Sequence, residues 1–254
     1  MSQKPVKKLR ADQLLVELGL FDSRARAQAA IHAGLVSADG EKVRKASQDV
    51  AVNAKIVAEA AHPYVSRGGL KLAYALEYFA LEHFGISVAG KTCLDVGAST
   101  GGFCDVLLKA GAKYIYAVDT GREQFHYSLR THPKITLMEG QDVRTLSLVH
   151  IAQPIDLVVI DVSFISLLLV LPAALQFSQP NSHAIALIKP QFEVGKANIA
   201  KGGIVKDESL YEPVFERIRA QLVELGWQPH DIIASPVTGG DGNREFLIAA
   251  TRKA

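Results

Sequence analysis

The sequence has few cysteines and no long apolar run, and both absences narrow the possible classes of protein. Two of the 254 residues are cysteine, too few for a disulfide framework or a zinc site. We expect Cys93 and Cys104 to be free thiols of a cytoplasmic protein. The longest apolar run, residues 164–175, is shorter than the roughly 20 residues that cross a bilayer, and no secretory signal is recognisable. We therefore expect no metal site and no membrane-spanning segment.

A large excess of either charge is also absent, because the net charge is only +2. The small positive excess is concentrated near the N-terminus: residues 1–60 carry ten Lys and Arg against seven Asp and Glu. The length of 254 residues suits one large domain or a large and a small one. We place the boundary around Pro63, which gives domains 1–61 and 62–254 with a linker at residues 62–66.

The N-terminal stretch has the pattern of two short helices followed by a β-hairpin. Gly19 and Gly34 end the helices, and Asp39-Gly40 is a strong hairpin-turn signal. Cations along this unit suit contacts with RNA phosphates, although any one of them could serve solubility alone. The motifs Leu-Arg-Ala-Asp-Gln-Leu-Leu, Ser-Arg-Ala-Arg-Ala-Gln and Ile-His-Ala-Gly-Leu-Val resemble the S4-type α-L RNA-binding domain. That resemblance implicates Arg10, Arg24, Arg26 and Lys42 in RNA binding.

A glycine-rich turn at residues 97–102 follows a short apolar strand and precedes a helix. A dinucleotide site would need Gly-x-Gly-x-x-Gly, but Ser99 stands at the second glycine. The pattern Gly-x-Ser-x-Gly matches a nucleophile elbow, although this strand is the first of its domain and the late His230 lies in a polar loop. The interpretation that we favour is Asp-x-Gly-x-x-x-Gly-Gly, which begins at Asp95.

A second acid, Asp119, lies about 20 residues beyond the glycine turn, where a ribose diol finds its acceptor. The turn has no lysine for a phosphate, and S-adenosyl-L-methionine is a ligand with a ribose and no phosphate. Asp142 could accept a bond from the adenine amine or cap a helix. The predicted cofactor-binding residues are Asp95, Gly97, Ser99, Thr100, Gly101, Gly102, Asp119, Asp142 and Asp161.

From Lys91 onward, strands alternate with helices, which predicts a parallel sheet with right-handed crossovers. The predicted strands are 92–96, 114–118, 135–138, 157–160 and 184–188, with two more near 231–235 and 246–250. Each of the first five has a polar residue at or just beyond its end, and these residues would gather at one edge of the sheet. These residues are Asp95, Asp119, Asp142, Asp161 and Lys189.

Two of these residues, Asp161 and Lys189, follow almost wholly apolar strands, and they could form a structural ion pair. With Lys71 and Glu245 they also form a set that could take a proton from a ribose 2′-hydroxyl. Lys71 lies in the first turn of a helix, where the helix dipole disfavours a cation, which suggests a task for it. A lysine acts as a base only without its proton, and burial and a second lysine both favour that state. We expect Lys189 to be the base.

Longer motifs carry a resemblance over nearly the whole chain. Asp-Val-Gly-Ala-Ser-Thr-Gly-Gly-Phe, Ile-Asp-Val-Ser-Phe-Ile-Ser-Leu, Leu-Ile-Lys-Pro-Gln-Phe-Glu and Gly-Asn-Arg-Glu-Phe-Leu resemble the TlyA family, whose catalytic part is similar to FtsJ-type ribose methyltransferases. The resemblance implies a Rossmann-like α/β methyltransferase fold with a seven-stranded, mostly parallel sheet behind a small α-L RNA-binding domain. It implies S-adenosyl-L-methionine as cofactor, 2′-O-methylation of ribosomal RNA, and a catalytic tetrad. The tetrad residues are Lys71, Asp161, Lys189 and Glu245.

The chain departs from the family pattern at Cys104, where threonine is usual, and at Gln141-Asp142, where asparagine is usual. Arg67, just before the first helix of the second domain, joins the predicted RNA-binding set. The loop 191–207 holds three lysines among glycines and could close over RNA or be solvated. Two other functions remain open: a noncatalytic RNA-binding protein that retains the fold, and a membrane-active haemolysin, a name that the family often carries.

Overall fold

The structure, a computed structural model, describes residues 7–81, 84–239 and 241–253. The chain divides into two compact units, Met1–Pro63 and Tyr64–Ala254. The first six residues of the predicted N-terminal domain lie outside the described residues.

The first unit contains two helices and five short strands. In chain order they are β1 (Lys8–Arg10), α1 (Ala11–Glu17), α2 (Arg24–His32), β2 (Val36–Ala38), β3 (Glu41–Lys42), β4 (Asp49–Ala51) and β5 (Ile56–Ala58). Strand β1 pairs with β4, and β2 lies between β3 and β5. A small core of apolar side chains from both helices and from β2 and β4 holds the unit together, with Leu15 and Ala27 at its centre.

Local sequence explains how the elements of this unit begin and end. The Ser23 side chain accepts a hydrogen bond from the backbone N–H of Arg26 at 3.3 Å and caps α2. Asp39 and Gly40 both have positive φ, 51° and 84°, which matches the right-handed twist of a tight hairpin. The predicted helix pair and hairpin are therefore present.

The second unit is a sheet flanked by helices. Its first elements are α3 (Gly68–Leu81), β6 (Thr92–Val96), α4 (Gly102–Lys109), β7 (Tyr114–Asp119), α5 (Tyr127–Arg130), β8 (Ile135–Glu139) and β9 (Ile155–Ile160). They are followed by α6 (Leu167–Leu175), β10 (Ser178–Ile188), α7 (Tyr211–Glu224), β11 (Trp227–Ala234) and β12 (Phe246–Arg252). Single 3₁₀ turns occur at Val143–Thr145, Pro190–Phe192, Lys196–Asn198 and Glu208–Leu210.

The sheet has seven strands in the order β11-β12-β10-β9-β6-β7-β8. Strands β8, β7, β6, β9 and β10 are paired in parallel, whereas β12 is antiparallel to both of its neighbours. The order reverses between β6 and β9, and in such sheets ligands bind outside the carboxyl ends of the strands at that point. The predicted seven-stranded, mostly parallel fold is confirmed.

The core has two layers because both faces of the sheet are covered. Along β6, Leu94 and Val96 belong to one apolar cluster and Cys93 to the other, as the alternation of side chains in a strand requires. The same alternation directs Asp95 to the face of Cys93, where α4 packs. Asp95 is 0% exposed as a result.

The sequence placed some element boundaries wrongly. Strand β10 begins at Ser178, six residues before the predicted start, and its pairing with β9 shifts register between Ser178 and His183. The first half of β10 was not predicted because it contains polar residues and Pro180, which are not typical of a buried strand. In the apolar run 164–175, helix α6 begins only at Leu167, and Phe164 is 90% exposed.

Candidate active site

The turn after β6 is shaped by residues with positive φ, which favours glycine. Gly97 has φ 86° and Gly101 has φ 89°, and Ser99 adopts φ 46° between them. A Cβ atom on Gly97 would lie 2.2 Å from the carbonyl oxygen of Asp161. The turn therefore contacts the end of β9 backbone to backbone, and only glycine permits that contact.

A cavity of about 370 Å³ opens at the carboxyl ends of the central strands. Gly97 and Ser99 border it on one side and Asp161 on another. A smaller cavity of about 160 Å³ shares these three residues and extends to Ser66 at the start of the second unit. The larger cavity has the size of typical small-molecule sites, and it lies at the point where the strand order reverses.

Seven of the nine residues predicted to bind the cofactor line one or both cavities. They are Gly97, Ser99, Thr100, Gly102, Asp119, Asp142 and Asp161. Several other residues that line the cavities were not predicted from the sequence, among them Ser66, Thr120, Gly121, Gln124, Gln141, Val143, Ser163, Phe164 and Ile165. Gln141 and the Ser163-Phe164 pair belong to motifs that had been recognised, so the signal for them was present.

Asp119 connects β7 to the glycine-rich turn. One carboxylate oxygen accepts from the backbone N–H of Ser99 at 2.7 Å, and the other accepts from that of Gly121 at 2.6 Å. Each carboxylate oxygen can accept a second bond, so the group keeps acceptor capacity for hydroxyls in the cavity.

Asp142 caps the 3₁₀ turn Val143–Thr145 and also borders the cavity. Its carboxylate accepts from the backbone N–H of Arg144 at 2.9 Å and pairs with the guanidinium of Arg144 at 2.6 Å. Hydrogen bonding to that guanidinium lowers the pKa of Asp142 below its usual value. The capping alternative is therefore present in the fold, together with a position on the cavity wall.

Two residues predicted to bind the cofactor do not line either cavity. Asp95 is fully buried, and its carboxylate accepts from the thiol of Cys104 at 3.0 Å. Burial raises the pKa of Asp95 to about 7. Gly101 supports the turn instead: a Cβ there would lie 2.8 Å from a methyl carbon of Leu129 and 3.0 Å from the ring of Phe125. Neither residue borders these two cavities, and the cofactor-binding roles of both residues stay predictions.

The four residues of the predicted tetrad lie together. Lys189 Nζ is 2.6 Å from Asp161 Oδ1, and Lys71 Nζ is 3.9 Å from Asp161 Oδ2. Lys71 Nζ is also 2.6 Å from Glu245 Oε2. Acids and lysines therefore alternate in the order Glu245, Lys71, Asp161, Lys189.

The folding of the second unit explains this convergence. Lys71 lies in the first turn of α3, Asp161 directly follows β9, Lys189 directly follows β10, and Glu245 directly precedes β12. Both acids and both lysines are largely withdrawn from solvent, with side-chain exposures of 3% for Glu245 to 18% for Asp161.

Ser163 adds a neutral group to this cluster. Its hydroxyl oxygen accepts a hydrogen bond from Lys189 Nζ at 2.7 Å, and the residue borders the larger cavity. Because Lys189 Nζ contacts both Ser163 and Asp161, its direction is fixed toward the cavity side of the cluster.

In the first unit, two of the arginines predicted to bind RNA contact one buried carboxylate. Asp12 is 0% exposed and accepts from Arg10 at 3.1 Å, Arg24 at 2.6 Å and Gln28 at 2.8 Å. Hydrogen bonding to Arg10, with Arg24 and Gln28, holds the pKa of Asp12 well below its usual range. Arg10 and Arg24 nevertheless remain 42% and 51% exposed in their side chains.

The other predicted RNA-binding residues differ in accessibility. Arg26 pairs with Asp22 at 3.3 Å, and its side chain is only 22% exposed. Lys42 in the hairpin and Arg67 just before α3 are both exposed. Their RNA-binding roles, like the catalytic roles of the tetrad, stay predictions.

The fold and the cavity define the class of protein. A parallel sheet with one antiparallel strand, a glycine-rich turn after β6 and an acid at the end of β7 are the features of an S-adenosylmethionine-dependent methyltransferase. The N-methyltransferase NodS from Bradyrhizobium japonicum has the same fold, with a TM-score of 0.51 at 12% identity over 74% of this chain and 99% of that one.

Family comparison then gives the particular family. Residues 64–252 match the FtsJ-like methyltransferases, and residues 9–56 match the S4 domain. The 16S/23S rRNA (cytidine-2'-O)-methyltransferase TlyA of Mycobacterium tuberculosis is 41% identical over 95% of this chain and 89% of its own length. The chain belongs to the FtsJ-like methyltransferase family and, within it, to the TlyA proteins that carry an S4 domain.

Other relatives carry haemolysin names. Hemolysin A of Brachyspira hyodysenteriae is 36% identical over 94% of this chain and 98% of its own length. A solved haemolysin-named protein from Streptococcus thermophilus has a TM-score of 0.75 and 38% identity, covering 98% of this chain and 90% of that one. In the described part of this chain, no helix has the length and hydropathy to cross a membrane.

S-adenosyl-L-methionine is the cofactor of this methyltransferase, and the site fits it. Gly97 borders the cavity with a backbone that carries no side chain, and Asp119 offers acceptors for a ribose. Among residues 7–81, 84–239 and 241–253, no group of three or more His, Cys, Asp and Glu side chains could hold a metal ion.

Proposed function

We propose that this protein is an S-adenosylmethionine-dependent 2′-O-ribose methyltransferase that acts on ribosomal RNA in the cytoplasm. The observation that carries the proposal is the contact network of Lys71, Asp161, Lys189 and Glu245 beside the cavity. The relatives named as rRNA (cytidine-2'-O)-methyltransferases support ribose as the acceptor.

The chemistry requires a base more than it requires activation of the methyl donor. S-adenosylmethionine, when bound, supplies an electrophilic methyl group, and the sulfur–carbon bond breaks as the oxygen–carbon bond forms. An alcohol is a poor nucleophile until its proton is removed, and a positioned base typically contributes about 10²–10⁴-fold. Alignment of the hydroxyl by fixed side chains adds to this gain.

In our proposal, Lys189 takes the proton of the 2′-hydroxyl on its Nζ. Asp161 lies between the two lysines and holds the Lys189 amine at 2.6 Å. Lys71 is held by Glu245 at 2.6 Å, so its ammonium can donate a hydrogen bond to the ribose oxygen. A carboxylate with each lysine keeps the cluster compact although it is largely buried.

We propose further that the S4 domain and Arg67 bind the RNA through its phosphates. Exposed guanidinium and ammonium groups suit phosphate oxygens. The pairing of Arg10 and Arg24 with the buried Asp12 supports a structural contribution, and the exposure of both side chains leaves them accessible to RNA. Lys42 and Arg67 are exposed and suit phosphate contacts most directly.

The experiment is transfer of a radiolabelled methyl group from S-adenosylmethionine to ribosomal subunits and to naked ribosomal RNA. We expect transfer by the wild-type protein and a loss of about 10²-fold or more in Lys189→Met, with the cofactor still bound. Lys113→Met is the matched control, because Lys113 is an exposed lysine that directly precedes β7, at the end of the sheet away from the cavity. Normal transfer by Lys189→Met would remove Lys189 as the base, and no transfer by the wild type would reject the function.

A further inference from the structure

Glu193 is a buried acid that the proposed mechanism does not use. It is 8% exposed and lies four residues beyond Lys189. One carboxylate oxygen accepts from the backbone N–H of Leu167 at 2.6 Å, and the other accepts from the hydroxyl of Ser166 at 2.6 Å. Helix α6 has no acid in its own first turn, so this carboxylate supplies the negative charge and the acceptors that a helix N-terminus favours.

The two bonds join two turns that carry catalytic residues. We call residues 161–167 the aspartate turn and residues 189–193 the lysine turn. The turns also meet at Lys189, whose Nζ contacts Asp161 at 2.6 Å and Ser163 at 2.7 Å. A third contact is between the rings of Phe164 and Phe192, whose centroids are 5.2 Å apart.

The lysine turn is itself held from its other side. The carbonyl oxygen of Glu193 accepts from the guanidinium of Arg217 on α7 at 2.9 Å. Glu193 thus contacts α7 through its backbone and α6 through its side chain. Its contacts with both helices therefore restrict the movement of the turn that carries Lys189.

The aspartate turn needs such a restraint because its backbone is strained. Phe164 has φ 65°, an uncommon conformation for a residue other than glycine that persists only where the surroundings impose it. The Phe164 side chain is 90% exposed, so burial of its ring contributes little toward holding it. The contacts that restrain the turn include the bonds made by Lys189 and by Glu193 and the ring contact with Phe192.

We propose that Glu193 is a positioning residue of the methyl-transfer reaction, which sets the placement of Lys189 against Asp161 and Ser163 by joining the two turns. This inference rests on the proposed function. This role depends on the two hydrogen bonds and not on the negative charge alone, because each carboxylate oxygen of Glu193 has its own partner on the aspartate turn.

Two conservative variants separate bridging from charge. In Glu193→Gln the amide oxygen can accept from Leu167 and the amide nitrogen can donate to the Ser166 oxygen, so both links persist without the charge. In Glu193→Asp the charge persists, but the side chain is one methylene shorter and loses the bridge. Glu212→Ala on α7 is the control, because Glu212 has an exposed side chain and pairs with Arg219 on the same helix.

The measurements are kcat at saturating cofactor and RNA and the pH profile of kcat. We expect Glu193→Gln and Glu212→Ala to keep kcat within about threefold of the wild type, and Glu193→Asp and Glu193→Ala to lose about 10- to 100-fold, as misplaced catalytic groups do. The midpoint of the pH profile should move in Glu193→Asp, because the groups around Lys189 change. If Glu193→Ala does not fold, the comparison of Glu193→Gln with Glu193→Asp still tests the inference.

Two results would overturn the inference. If Glu193→Asp keeps the wild-type kcat and pH midpoint while its thermal stability falls, Glu193 only stabilises the fold. If Glu193→Gln loses activity whereas Glu193→Asp keeps it, charge and not bridging carries the effect. Failure of the proposed function looks different, because the wild-type protein itself would then transfer no methyl group to RNA, and the inference would fall with it.

Discussion

Replacement of Asp95 by Asn should change how the stability of the protein depends on pH. Asp95 is 0% exposed, one carboxylate oxygen accepts from the thiol of Cys104 at 3.0 Å, and the other oxygen has no hydrogen-bond partner among the described residues. Burial raises the pKa of this group from 3.8 to about 7. Asn has nearly the same shape and does not ionise.

The sign and size of the effect follow from this shift. Below about pH 4 the carboxyl is protonated in both states, so it adds no pH dependence. Between pH 4 and 7 the unfolded chain loses the proton while the folded protein keeps it, so stability falls as pH rises. A shift of about three units at about 1.4 kcal/mol each gives a total loss of about 4 kcal/mol.

Urea unfolding of the cofactor-free protein measures this loss, with the fluorescence of Trp227 as the signal. Trp227 is the single tryptophan, and it is buried in β11 of the same unit. The free energy of unfolding of Asp95→Asn minus that of the wild type should rise by up to about 4 kcal/mol between pH 4 and 8.

Removal of the thiol partner provides a second test of the same reasoning. The Cys104 thiol donates to the carboxylate and lowers the pKa of Asp95 against the larger effect of burial. In Cys104→Ala the midpoint of the stability loss should therefore move to higher pH. A constant difference between Asp95→Asn and the wild type across this pH range would refute the argument.

Two further predictions concern the glycine-rich turn and the charged cluster. Gly97→Ala should abolish most cofactor binding, measured by calorimetry, because its Cβ would lie 2.2 Å from the Asp161 carbonyl oxygen. Gly202→Ala is the control and should bind the cofactor normally, because Gly202 also has positive φ, 92°, but has open space around it. Equal affinities would contradict the steric argument. Lys71→Met should lower the free energy of unfolding by about 3 kcal/mol, because it leaves the Glu245 carboxylate buried without its lysine partner. Adding Glu245→Gln to the same chain should restore most of this loss. If the losses of the two substitutions instead add up, that explanation is wrong.

Much of the fold followed from sequence because its signals are local. Apolar strands ending in Asp119, Asp161 and Lys189 predicted a parallel sheet with a polar edge, and the Asp39-Gly40 pair predicted a hairpin. The strand boundaries were less certain. The first half of β10 is polar and irregular, so its pairing with β9 depends on tertiary context that no local pattern carries.

The remaining differences concern where a side chain points and which partner it finds. Asp95 and Asp119 both end strands next to the cavity, yet alternation along β6 directs Asp95 beneath α4 while Asp119 contacts the turn. Glu193 was visible in a recognised motif, but its contact with α6 crosses 26 residues of chain. Likewise, the cluster of cations in the first unit did not predict that Arg24 pairs with the buried Asp12.

The central claim is that the methyl group is placed on a ribose 2′-oxygen of ribosomal RNA. Alkaline hydrolysis of RNA labelled by the wild-type protein tests it directly, because cleavage of a linkage by alkali requires a free 2′-hydroxyl. We predict that the label is recovered in alkali-resistant dinucleotides and that Lys189→Met yields about 10²-fold less of them. Recovery of the label in single nucleotides, methylated on the base, would contradict the assignment of the reaction.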